Sequence, residues 1–263
     1  MPPFTGLAAN YRQFRPALPP AAANYLWETA SRYTTASRLL DVGTGTGTVM
    51  LALTNRFEQM IGIDPEMEML EVASESFKHV LAERKLIRLF CSRIEDFTPP
   101  DGWKASLVTF SRSFHWVEQD ATLCRLVDFT EPNGLVALMS DRSLLNGDEP
   151  WQKATDELLA SYLGETSRIT GLGSNRKYRE WADVLKASPF NIVERAVFPV
   201  QRVWTYESIL GYLNSTSMAT RRNFGDRAED FEAALKQTLN SISNTDEFIE
   251  NDDWEVIIGR KIE

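Results

Sequence analysis

The sequence predicts an α/β fold in which a largely parallel sheet carries a helical cap. Three observations predict it. In the first half, short apolar runs alternate with amphipathic segments, the pattern of strand–helix–strand units around a parallel sheet. The first of these runs ends in a glycine cluster that opens a helix. In the second half the rhythm changes, and helical patterns crowd between the fifth apolar run and the last.

Taken in order, Arg38-Leu-Leu-Asp-Val42 reads as the first strand and Met60-Ile-Gly-Ile63 as the second. Leu86-Ile-Arg-Leu-Phe90 is the third, Ser106-Leu-Val-Thr-Phe110 the fourth, and Leu135-Val-Ala-Leu-Met139 the fifth, introduced by a turn at Glu131-Pro-Asn-Gly134. Met67, Leu70, Phe77 and Leu81 recur at helical spacing between the second and third strands, and Leu123, Leu126 and Val127 between the fourth and fifth. Further helices are predicted at Trp151 to Leu163, Asn175 to Ser188, Tyr206 to Ser217 and Asp226 to Asn240. Phe190, Ile192, Ala196, Phe198 and Val200 alternate as a sixth strand, and Trp254, Val256 and Ile258 as a seventh. No linker or repeat divides the 263 residues, so one domain (1–263) is expected. Its cap or insertions are expected around 141–189 and 205–250, with an N-terminal lid segment at 1–30.

Composition narrows the function. The chain is 43% hydrophobic with seven Trp, enough to bury a core, and its net charge is −9. An acidic chain lacks the basic surface that neutralises phosphates, so no nucleic-acid partner is expected. No apolar run is long enough to span a membrane, and Met1 to Asn10 has no secretion-signal pattern, so a cytoplasmic location is expected. Cys91 and Cys124 match neither a disulfide framework nor a zinc spacing, and no metal site is expected.

The most informative stretch is Leu40-Asp-Val-Gly-Thr-Gly-Thr-Gly-Thr48, with glycines at 43, 45 and 47. Glycines there let the backbone approach a ligand closely, beside the unpaired N–H groups at the start of a helix. The spacing is G-x-G-x-G rather than the dinucleotide G-x-G-x-x-G, and no Lys follows as it does in a P-loop. Asp41 sets a negative charge beside the loop, which suits a cationic ligand better than a pyrophosphate. The second strand ends in Ile63-Asp64-Pro65, where an acidic side chain can accept from two ribose hydroxyls. Taken alone, Asp64 before Pro65 would be a helix N-cap; beside the loop, the ribose role is the better reading.

These residues, with Asp64-Pro-Glu-Met-Glu-Met-Leu70, Arg93-Ile-Glu-Asp-Phe97 and Phe114-His-Trp116, resemble the successive motifs of class I S-adenosylmethionine-dependent methyltransferases. The resemblance is specific over residues 36–140. It implies a Rossmann-like seven-stranded sheet of order 3-2-1-4-5-7-6 with the last strand antiparallel. It also implies S-adenosylmethionine as cofactor and S-adenosylhomocysteine as product. Asp41, Gly43, Thr44, Gly45 and Gly47 would face the methionine part, and Asp64 and Pro65 the ribose. Met69 would lie against the adenine, with Ile94 and Glu95 at its edge. Many relatives carry a small residue where Ile94 stands, and ordinary core packing is the alternative for Met69. The segment Ala9-Asn-Tyr-Arg-Gln-Phe-Arg-Pro16 resembles one that folds over the cofactor, with Tyr11 and Arg15 helping to hold it.

The fourth strand runs into Ser111-Arg-Ser-Phe-His-Trp116, where this family places the methyl acceptor, so Ser111 belongs to the candidate site. The Asn-Pro-Pro-Tyr type of motif used on nucleic-acid bases is absent, and His115-Trp116 resembles small-molecule enzymes. Tyr206 to Ser217 resembles a cap segment of natural-product tailoring enzymes, among them N-methyltransferases that finish lincosamide-type antibiotics. The expected substrate is therefore a small-molecule amine, with Tyr11, Phe114 and Trp116 forming an apolar aromatic pocket. A hydroxyl acceptor would need a base, and His115 is the histidine near the motifs; a structural role for it is the alternative. A nicotinamide dehydrogenase and a non-catalytic S-adenosylmethionine-binding protein are the rival readings. The sequence leaves the number of subunits open, a homo-oligomer included.

Overall fold

The computed structural model describes residues 4–78, 86–142, 144–164 and 179–262. His79, Leu81 and positions 175–178 of an expected helix lie outside the described residues. Along the chain come α1 (Ala8–Phe14), α2 (Pro20–Tyr33), β1 (Arg38–Val42), α3 (Thr48–Leu53), β2 (Gln59–Asp64), α4 (Met67–Phe77) and β3 (Leu86–Cys91). Then follow β4 (Ala105–Ser111), α5 (Gln119–Phe129), β5 (Thr130–Ser140), α6 (Pro150–Leu163), α7 (Trp181–Lys186) and β6 (Ile192–Trp204). The remainder is α8 (Tyr206–Asn214), α9 (Arg221–Phe224), α10 (Ala228–Ile242) and β7 (Phe248–Arg260).

The strands form a seven-stranded sheet in the order β3-β2-β1-β4-β5-β7-β6. Pairs from β3 through β5 are parallel, and β7 runs antiparallel to β5. This is the order the resemblance implies. Central strands β1, β2 and β4 are buried almost throughout, whereas the edge strands β3 and β6 alternate between sheltered and exposed positions. That contrast is why the central strands read as continuous apolar runs. β5 begins earlier than expected. Glu131-Pro-Asn-Gly134, read as a turn, is part of the strand, with a register shift opposite Ala105 and Leu107 and a left-handed Asn133 (φ 57°).

By its internal contacts the chain divides into two compact units. The first comprises Met1–Pro16, Asp141–Arg176 and Pro199–Asp253. The second comprises Ala17–Ser140, Lys177–Phe198 and Trp254–Glu263. α7 was expected in the cap but belongs to the sheet's unit, because Val184 and Leu185 sink into its core. α2 lies in the expected N-terminal lid segment but also belongs to the sheet's unit, with Ala22, Ala23, Leu26 and Ala30 buried.

In the second unit, Leu40, Ile61, Val108, Val136 and Ile257 point to one face of the sheet and pack with Leu123 and Leu126 of α5 and with α7. Alternate residues such as Leu39, Met60 and Leu107 point to the opposite face. The first unit has its own core, in which Trp151 and Leu159 of α6 meet Ile209, Tyr212 and Leu213 of α8 and Phe231, Leu235 and Leu239 of α10. α1 approaches α8 closely at Gly211, where a Cβ would lie 2.3 Å from the Phe14 ring.

Candidate functional site

The site is built where β1 and β2 end. Gly43, Gly45 and Gly47 all take positive φ (69°, 54° and 78°), backbone that other L-residues rarely adopt. The N–H groups of Gly43 and Thr44 donate to the Ile63 carbonyl at 2.9 and 3.0 Å, tying the loop to the end of β2. A Cβ on Gly43 would lie 2.5 Å from Ser113 Cβ, and one on Gly47 would lie 2.9 Å from the Phe77 ring. The loop therefore has no room for side chains at these two positions.

Two carboxylates flank it. Asp64 is 8% exposed; its Oδ2 accepts from Gly45 N–H and its Oδ1 from Glu66 N–H, both at 2.9 Å. The second bond makes Asp64 a short local clasp, and α4 starts two residues beyond Pro65 with Glu66 as its N-cap residue. Burial raises the Asp64 carboxyl, and the two backbone N–H groups oppose the rise. Asp41 is buried, 1% exposed. Thr109 donates from Oγ1 to Asp41 Oδ1 at 2.7 Å and the Thr44 hydroxyl also favours the charged form, while Oδ2 meets no hydrogen-bond partner among the described residues. Burial pushes this carboxyl up to about 6. Thr46 in the same loop also buries a hydroxyl without a partner among the described residues. Buried polar atoms are nearly always bonded, so an unpaired carboxylate oxygen and hydroxyl at a loop with no room for side chains at Gly43 and Gly47 fit a polar, cationic ligand.

The acceptor segment departs from expectation. Phe114-His-Trp116 forms one 3-10 turn, which at three residues per turn sends successive side chains in different directions. Phe114 is 0% exposed and packs edge-on against Phe110 and Trp181, at 5.2 and 6.0 Å between centroids. Its ring is part of the sheet's core cluster. Trp116 is 37% exposed. His115 is half-buried, with a tilted ring contact to Trp116 at 5.1 Å and no carboxylate or hydrogen-bond partner among the described residues. Burial alone lowers its imidazole to about 4.

The other expected site residues divide. Ser111 ends β4 half-buried, next to Arg112 in a left-handed conformation (φ 55°). Met69 is buried in the first turn of α4, and Pro65 is exposed. Ile94, expected at the adenine edge, is 2% exposed and its side chain belongs to the core. Glu95 pairs with Arg93 at 3.3 Å. Tyr11 and Arg15 lie in the first unit, outside the unit that holds the glycine loop. There the Arg15 guanidinium sits over the rings of Tyr11 and Tyr212 and donates to Ser215 Oγ at 2.9 Å.

Three residues were missed. Thr109 holds Asp41, Ser113 donates to the Val42 carbonyl at 2.6 Å, and Gly62 leaves room for Met50, whose Sδ would lie 2.6 Å from a Cβ there. Two carried a signal. A Thr inside a fully buried strand needs a bonding partner, and a mid-strand Gly marks a close approach.

Comparison with known proteins agrees with this geometry. Residues 39–134 match the family described as "Methyltransferase domain". An uncharacterized methyltransferase of Mycobacterium tuberculosis (strain H37Rv) is 26% identical over 136 residues, 52% of this chain and 51% of that protein. The probable S-adenosylmethionine-dependent methyltransferase CRG1 of Saccharomyces cerevisiae is 25% identical over 130 residues, 49% of this chain and 44% of its own length. The chain thus spans about half the length of the curated relatives it matches. Among solved structures, a protein of Anaeromyxobacter dehalogenans assigned to the type II methyltransferases has a TM-score of 0.62 at 21% identity, over 95% of this chain and 99% of that one. Phosphoethanolamine N-methyltransferase 2 of Haemonchus contortus, in complex with phosphomonomethylethanolamine and S-adenosylhomocysteine, has a TM-score of 0.54 at 18% identity, over 97% of this chain and 57% of that one. The [4+2]-cyclase SpnF shares the fold as well, with a TM-score of 0.51 at 14% identity, over 94% of this chain and 84% of that one. At these identities the structures show the fold alone, and it serves more than one reaction.

Proposed function

From a chain whose residues 39–134 match a methyltransferase domain of class I fold, a family whose cofactor is S-adenosylmethionine, we propose an enzyme that methylates a small-molecule amine. The observation that carries the first half is the buried, half-unpaired Asp41 beside a loop with no room for side chains at Gly43 and Gly47, with Asp64 clasped to the same loop. The methionine ammonium fits the bare Asp41 oxygen, and the ribose hydroxyls fit the remaining lone pairs of Asp64. On this reading Met69, buried on the first turn of α4, would lie against the adenine. Bound there, S-adenosylmethionine supplies an electrophilic methyl, so the chain's own task is to align the acceptor and exclude water. Alignment of that kind is worth about 7–11 kcal/mol.

The state of His115 favours nitrogen over oxygen. A histidine without an orienting carboxylate, its imidazole lowered to about 4, is a poor base for a hydroxyl. A neutral amine needs only positioning and desolvation. The natural-product setting rests on the resemblance of Tyr206 to Ser217 and on nothing further.

A panel of small amines and alcohols incubated with S-adenosylmethionine and read by mass spectrometry tests the proposal. The expected result is a one-methyl mass gain on amines that His115→Ala lowers by less than the roughly 10²–10⁴-fold typical of a lost general base. Gain on alcohols alone, abolished by His115→Ala and recovered at higher pH, would establish an O-methyltransferase instead.

A further inference from the structure

At the opposite end of β1, β2 and β3 from the glycine loop, the sheet borders a cavity of about 240 Å³. Arg38, Gln59, Ile61, Arg88, Asp101 and Trp103 line it. Strand register explains how they meet. Arg38 pairs with Gln59 across β1 and β2, and Ile61 pairs with Arg88 across β2 and β3. Residues in register, or two apart along a strand, share a face, so both arginines and Gln59 point to the side on which Ile61 is packed.

The lining is rich in donors. Trp103, 9% exposed, forms one wall and donates from Nε1 to Gln59 Oε1 at 3.1 Å. That bond spends the amide oxygen and leaves the NH₂ as the group Gln59 has to offer. Neither guanidinium has an ion pair or a side-chain hydrogen bond among the described residues. Elsewhere in the chain Arg142, Arg179 and Arg202 each hold a carboxylate. Asp101 is the acidic residue of the lining; it lies on an exposed turn closed by Trp103 N–H to the Pro100 carbonyl at 2.9 Å and pairs with neither arginine. In a chain of net charge −9, two unpaired guanidiniums beside a half-enclosed apolar wall form a local positive site.

We propose that this cavity binds a small organic anion, with a carboxylate or phosphate held by Arg38 and Arg88 and a flat apolar body against Trp103 and Ile61. Guanidinium is the cation best matched to such oxyanions, through paired N–H donors. The volume is below the ~300 Å³ lower limit of drug-sized pockets, which restricts the body to about a single ring.

Calorimetric titration at low ionic strength with phenyl phosphate and with benzoate tests this, with inorganic phosphate and benzyl alcohol as controls. Saturable 1:1 binding of at least one aromatic anion is expected. Arg38→Gln and Arg88→Gln should each weaken it by about tenfold or more, and both should leave S-adenosylhomocysteine affinity unchanged. Both side chains lie at the rim of the fold, and circular dichroism of the variants guards against loss of structure. Several results would overturn the proposal: no saturation by either anion, binding that survives the double variant, benzyl alcohol binding as tightly as the anions, or competition with S-adenosylhomocysteine. Inorganic phosphate binding as tightly as phenyl phosphate would overturn the assignment of Trp103 as part of the site. None of these outcomes depends on whether the chain methylates anything.

Discussion

Asp41 ionises at a cost that the ligand-free protein bears alone. Its carboxyl, ordinarily near 3.8, is pushed up to about 6 by burial. Below the lower value it is protonated whether the chain is folded or not; between the two only the folded chain keeps the proton. Above the higher value the folded chain carries a buried charge, at a cost of about 3 kcal/mol. The sign is therefore a loss of stability as pH rises through this window. Asp41→Asn should stabilise the ligand-free protein by urea unfolding at about pH 8 and have much less effect at about pH 4. The same charge should help to bind a cationic ligand, so S-adenosylhomocysteine affinity should fall as pH drops through about 6, and fall less in Asp41→Asn. Asp64 makes a second prediction. An amide at position 64 keeps one acceptor and turns an NH₂ toward either Gly45 N–H or Glu66 N–H. A bond to a charged acceptor is worth about 1.5–3 kcal/mol, so Asp64→Asn should weaken S-adenosylhomocysteine by about tenfold or more. Unchanged affinity by calorimetry, with circular dichroism intact, would remove Asp64 from the site.

Among the elements, the first unit holds a buried charge network beside its apolar core. Arg202 of β6 bonds Asp141 and Glu250 at 2.9 Å, and Asp252 lies at 3.5 Å; the three carboxylates are nearly inaccessible. Trp204 Nε1 and Gln152 Nε2 also donate to Glu250, at 2.9 and 2.8 Å, joining α6 to β6 and β7. Burial raises the Asp252 carboxyl, a sign that the acidic charge is only partly compensated. Removing the arginine takes the shared cation from three buried carboxylates, of which Glu250 keeps its Trp204 and Gln152 donors and Asp252 keeps Arg142 at 3.4 Å, so Arg202→Ala should cost about 3–5 kcal/mol by urea unfolding. A loss under about 1 kcal/mol would mean that the network behaves as a surface ion pair. None of this was legible in the sequence, because residues 141, 202, 250 and 252 meet only through the pairing of long strands. The 3-10 turn at Phe114–Trp116 was missed for a related reason: composition marks the aromatics, but the turn's pitch decides that Phe114 goes inward.

For the whole molecule, the central strands and the glycine loop were legible in the residues themselves, whereas the sheet order came only with the family resemblance. Central strands buried on both faces leave unbroken apolar runs, and a loop that needs positive φ three times leaves glycines at 43, 45 and 47. Where burial is one-sided or pairing irregular, as at the start of β5, the sequence signal fails. The assignment of α2 and α7 to the sheet's unit depends on three-dimensional contacts that no local pattern carries. The glycine loop is thus the part where sequence and geometry coincide most fully, and the proposed function stands on it. Isothermal titration of the intact chain with S-adenosylhomocysteine, run beside NAD and NADP, tests that reading most directly. Saturable 1:1 binding of S-adenosylhomocysteine, lost in Gly45→Val with circular dichroism retained, is the predicted result. No binding of S-adenosylhomocysteine, or binding of a nicotinamide dinucleotide in its place, would contradict it.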